Sequence, residues 1–167
     1  MRVEYINPFV EAAFNVLREV LNMMGGPEID VKRGDLYLKP SNMSIMGVAA
    51  LVGLAGDVEG RVLFDMNKST ALFVAGCMNG EEFDTIDEMV KATITELANM
   101  ITAQAVTKLH DLGFKFDLTP PVLFTGENME ISNNLDVEAL IVPMKLGTQN
   151  GNGNGTIEIN VVIRERT

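Results

Sequence analysis

The chain has 167 residues, 47% hydrophobic and 22% charged, with a formal net charge of −10 at pH 7. Its 13 Lys and Arg are scattered, with no run longer than Lys32-Arg33. The charge argues against nucleic acid and membrane as partners and for a protein partner that is neutral or locally basic.

The length fits one domain spanning 1–167, large enough to bury a core without staples. In chain order, residues 7–24 read as a helix. Asn7 is placed to cap it, Pro8 to stand first inside it and Gly25-Gly26 to stop it. Phe9, Ala13, Leu17, Val20 and Leu21 give it one apolar face. Strand-like segments follow at 29–38, broken at Gly34, at 44–54 as a candidate central strand, and at 58–65. Gly56-Asp57 marks a hairpin between the last two. A second helix is expected over 68–78, ended by Asn79-Gly80. Beyond the acidic loop 81–84, a long helix is expected over 86–112, ended by Gly113. The last third is strand-like at 121–126, 136–146 and 156–165, with TQNGNGNG (148–155) as a flexible turn. Ile157, Ile159, Val161 and Ile163 alternate, so the last strand is expected to bury one face.

This order implies an α+β layer arrangement, a mainly antiparallel sheet with long helices on one face. It also hints at a duplication, since each half has a helix carrying an asparagine, Asn15 or Asn99, followed by strands. Eleven apolar residues at 45–55 are too few to span a bilayer, which takes about 20. The N-terminus lacks the pattern of a signal peptide, so the expected location is the cytoplasm. Cys77, the single cysteine, excludes an intramolecular disulfide and reads as a core residue. The methionines read mostly as core fillers.

The long helix carries the candidate chemistry. Ile86, Val90, Ile94, Leu97 and Ile101 form one apolar stripe. Glu96 and Asn99 stand three apart, away from that stripe, on the side shared by Ala92, Ala103 and His110. No cation occupies the helical neighbour positions of Glu96, which are Ala92, Thr93, Asn99 and Met100. Its charge is therefore open to an outside cation, and the two alanines leave room for another protein to come close.

The segment Thr95 to Thr102, TELANMIT, resembles the Glu-x-x-Asn signature helix of the CheC/CheX phosphatase family. LAGDVEGRVLFDM (54–66) resembles the family's Gly-rich hairpin, and NPFVEAAFNVL (7–17) the N-terminal helix of its CheX branch. The resemblance implies the CheC-like fold and a phosphorylated response regulator of the CheY type as substrate. Asn99 would orient the attacking water and Glu96 would pair with a partner lysine. Ala92, Thr95, Met100 and Ala103 would form the docking surface around them. It implies no cofactor and no metal site of the chain's own, since Mg2+ would belong to the partner. CheC-type members carry the pair twice. Here Ala12 stands where a second Glu would fall and only Asn15 remains, so the first helix reads as structural. One site per chain is the CheX pattern, which implies a homodimer.

His110, the only histidine, reads as a residue favoured at a helix C-terminus. Glu81, Glu82, Asp84, Asp87 and Glu88 read as solvated or capping residues at a helix start. The alternative to the phosphatase is a module of the same fold that docks a regulator or motor-switch component without hydrolysis.

Overall fold

The computed structural model describes residues 3–40, 43–132, 137–148 and 153–165. Within these the chain forms α1 (Val3–Val20), β1 (Ile29–Arg33), β2 (Tyr37–Lys39), β3 (Met43–Ser44), β4 (Val48–Gly56), β5 (Val58–Met66) and α2 (Lys68–Asn79). Then come α3 (Glu88–Asp111), β6 (Phe116–Leu118), β7 (Val122–Thr125), β8 (Glu130–Ile131), β9 (Ala139–Thr148) and β10 (Gly153–Glu165).

Eight strands form one antiparallel sheet in the order β1-β9-β10-β5-β4-β6. β2 lies beside β1 on β9, and β7 beside β6 on β4. The order reads the same from both ends. Each half supplies a long helix, a divided edge strand (β1/β2 or β6/β7), a short strand and a hairpin (β4-β5 or β9-β10). The two hairpins meet where Val161 pairs with Val62. The short strands β3 and β8 pair with each other in a separate two-stranded sheet. This is the expected α+β duplication, with α2 inserted between the halves.

The helices cover one face. Phe9, Leu17, Ile94, Leu97 and Ile101 pack on Val52, Val62, Phe64, Met144, Ile159 and Val161 in one buried cluster. The opposite face is partly covered too, by a patch of Ile45, Ala49 and Leu63 and another of Ala139, Ile141 and Val162. Asn160 and Val162 are therefore buried along with the alternating isoleucines, and β10 has two buried faces rather than the expected one.

Several boundaries differ from expectation. α1 begins at Val3, so Pro8 lies inside it and Asn7 does not cap it. The extra turn is anchored by Tyr5, whose ring meets Phe114 edge-on at 4.9 Å, and that contact outweighs the hydrogen bond Pro8 cannot donate. β4 starts at Val48, and the preceding Ile45 turns to the far face. It is an interior strand, between β5 and β6/β7. In the Gly/Asn-rich stretch, residues 149–152 lie outside the described residues. Gly153–Gly155 belong to β10 with a bulge. At Gly155, with φ +118°, a Cβ would fall 1.9 Å from Thr70 Oγ1, so strand and α2 touch where only glycine fits. Met46 and Met89 are exposed rather than core, while Met66 and Met144 are fully buried.

Candidate functional site on the long helix

α3 is fixed at both ends and along one side. Asp87 caps it, accepting a hydrogen bond from the Val90 amide at 2.9 Å. Val90, Ile94, Leu97 and Ile101 are buried as the spacing predicts, while Ile86 lies before the helix and is half-buried. The Asn79 amide, at the end of α2, donates to Thr93 Oγ1 at 2.9 Å. Near its C-terminus, Lys108 pairs with Glu11 of α1 at 2.6 Å. His110 faces the turn beyond: its Nε2 lies 3.3 Å from the Phe116 amide, which donates to it. That contact holds the return of the chain into β6.

The opposite side of α3 is open. Ala92, Glu96, Asn99 and Ala103 are exposed. Among the described residues, the side chains of Glu96 and Asn99 make no hydrogen bond and no ion pair. The basic side chains of the helix are directed elsewhere, Lys91 to Glu88 at 3.4 Å and Lys108 to Glu11. The result is a free carboxylate and a free amide about one turn apart on a stiff helix, flanked by methyl groups. The arrangement can grip a cation and place a water, and holds nothing else that could do chemistry.

Two expected docking residues are less available. Thr95 is half-buried, and its hydroxyl donates to the Lys91 carbonyl at 2.8 Å. Met100 is half-buried against the core. On α1, Asn15 is exposed but Ala12 is 0% exposed. A Glu at that place could not reach solvent, which accords with α1 serving as structure.

One feature near the site escaped the sequence reading. Glu81, Glu82 and Asp84 do not cap α3, a task Asp87 performs alone. They rim a groove of about 480 Å3 beside α2, with Leu72, Phe73, Cys77 and Phe83 on its walls. Cys77 is accordingly half-buried rather than core, and its surroundings push the thiol pKa up. The available signal was two acids directly after Gly80, at the negative end of a helix, where acids are disfavoured.

A family model described as "Chemotaxis phosphatase CheX" matches residues 48–145. The chain belongs to the CheX family. Its fold is similar to a structure of a CheX–CheY–BeF3–Mg2+ complex from Borrelia burgdorferi. That chain is 46% identical, with 98% of this chain and 100% of the other covered and a TM-score of 0.78. It is also similar to a CheC-like superfamily protein from Shewanella sp. PV-4, 30% identical, covering 98% and 99%, TM-score 0.82. The CheY-P phosphatase CheX of Thermotoga maritima is 29% identical over 138 residues, 80% of this chain and 83% of that protein.

Proposed function

We propose that this chain is a protein phosphatase that hydrolyses the aspartyl phosphate of a CheY-type response regulator through Glu96 and Asn99 of α3. The observation that carries this reading is the unpaired carboxylate of Glu96 and amide of Asn99 on the exposed face of α3 in a CheX-family chain. Asn99 enters the acidic pocket of the regulator and holds a water in line with phosphorus. Its amide donates to one side of the site and accepts from the water, as a glutamine does in GTPases. The water oxygen bonds to phosphorus, the bond to the aspartyl oxygen breaks, and inorganic phosphate and the free carboxylate result. Glu96 pairs with a lysine of the regulator and sets the register of docking. Mg2+ and the phosphate-contacting lysine are the regulator's, and this chain supplies no cofactor.

The reading places the protein in the cytoplasm. No helix among the described residues is long and apolar enough to cross a membrane. We also propose a homodimer, for which the exposed apolar side chains of Leu36, Tyr37 and Leu38 along the β2 edge offer surface.

The test is phosphate loss from a phosphorylated regulator of the same cell. Wild type should speed it at least tenfold, about 1.4 kcal/mol of barrier. Asn99→Ala should abolish the acceleration and keep docking, and Glu96→Ala should weaken docking. Docking without any acceleration by wild type would instead make the chain a binding module.

A further inference from the structure

We propose that the groove at the C-terminal end of α2 is a second docking point for the same regulator, one that receives a basic segment with an apolar anchor. The inference rests on the proposed function and specifies how its partner is held. Glu96 and Asn99, bracketed by Ala92 and Ala103, offer little area, whereas a specific complex covers about 800 Å2 on each side. More of the surface must take part, and the groove's rim at Glu81, Glu82 and Asp84 lies on the link that leads from α2 into α3. Asn79 at the end of α2 is bonded to Thr93 at 2.9 Å, and Thr93 lies one turn before Glu96.

The groove has the form of a receptor for a side chain. Leu72, Phe73, Cys77 and Phe83 are each only partly buried and line a volume of about 480 Å3. Gly80 closes α2 in the left-handed conformation with φ +68°, and the Met24 side chain stands beside it, 2.9 Å from where a Cβ would fall.

Charge selects the occupant. Glu81, Glu82 and Asp84 are exposed on the rim, and among the described residues none has an ion-pair partner. Glu81 and Glu82 follow the negative end of α2, whose last turn holds no basic residue. The helix dipole and the acids thus add, and the local field favours a cation from outside. The proposed function already calls for a lysine of the regulator at Glu96, and the acidic rim on the link between α2 and α3 suits a second basic group of the same partner.

The single thiol, Cys77, makes the test direct. The protein is treated with a small maleimide alone and with saturating regulator carrying beryllium fluoride and Mg2+. Bound regulator should slow modification of Cys77 at least several-fold. In parallel, the double variant Glu81→Lys, Glu82→Lys should raise KM for the phosphorylated regulator about tenfold and leave kcat unchanged. An unchanged thiol rate under saturation, or an unchanged KM in the variant, overturns the second docking point. Failure of the proposed function is seen separately, as full turnover retained by Asn99→Ala.

Discussion

Glu11 on α1 and Lys108 on α3, separated by 97 residues in sequence, meet at 2.6 Å and fix how the two long helices lie. Beyond them Tyr5 meets Phe114, so the middle of α1 lies against the last turn of α3 and the start of α1 against the residues that follow it. The helices are therefore antiparallel, as the duplication requires. The ion pair itself is exposed and adds little stability. Its value is positional: with Asn79 on Thr93 at the other end, it holds α3 so that Glu96 and Asn99 stand on a fixed surface.

The related halves are not equivalent in what they expose. Ala12 occupies the place on α1 that Glu96 occupies on α3, and it is fully buried. Completing the second pair by Ala12→Glu should therefore not create a second site. It should destabilise the protein by roughly 3 kcal/mol or more, since a bulky unpaired carboxylate would be forced into a packed core. Denaturant unfolding measures this, and a stable variant with raised turnover would show that α1 can carry chemistry.

Gly60 lies on β5 where β10 crosses it closely. A Cβ there would fall 1.9 Å from the Val162 carbonyl oxygen, a backbone atom that cannot move aside alone. Gly60→Ala should cost about 3 kcal/mol by separating the hairpins at the centre of the sheet. A thermal melt checks it. An unshifted melt would mean that the two strands separate easily at that point.

Much of this architecture was legible in the sequence. The 3.6-residue period of Val90, Ile94, Leu97 and Ile101 and the glycines at chain reversals mark the elements. The free side of Glu96 and Asn99 follows from the same period. What stayed hidden depends on distant contacts. Tyr5 adds a turn to α1 because Phe114 is there to receive it. Val162 and Asn160 are buried because other segments cover the far face, which alternation within one strand cannot reveal. The groove was missed because acids between two helices look like a cap for the next one until Asp87 is seen to cap it alone.

On that far face Asp65 is 1% exposed, and its pKa is raised to about 6. Burial is the main cause. The Met46 amide, donating at 2.9 Å, opposes it, the cross-strand Glu158 adds to it and Lys39 opposes it. An unfolded aspartate titrates near about 3.9. The folded protein thus holds this proton more tightly, and the stability present below about pH 4 is lost as pH rises through about 6. Asp65→Asn keeps a carbonyl for Met46 and cannot ionise. It should match wild type near about pH 4 and exceed it by up to about 2 kcal/mol at neutral pH. Unfolding across that range is the measurement. Parallel curves would show that Asp65 ionises without cost where it lies.

Asn99 offers the sharpest separation of shape from charge. Asn99→Asp keeps the outline of the side chain but replaces the amide donor with an acceptor and adds a negative charge. In the proposed mechanism that charge would enter a pocket holding an acyl phosphate, so docking as well as water placement should fail. Asn99→Ala should lower kcat and leave KM near wild type, because no charge is added and the neighbouring side chains are undisturbed. Asn99→Asp should lower kcat and raise KM, and the rise in KM should shrink as salt screens the repulsion. Neither change should move the unfolding midpoint, since the Asn99 side chain is exposed and bonds to no described residue. Steady-state hydrolysis of the phosphorylated regulator at two salt concentrations decides it. Equal KM values for the two variants would mean that Asn99 does not enter the pocket and that the water is placed by some other group.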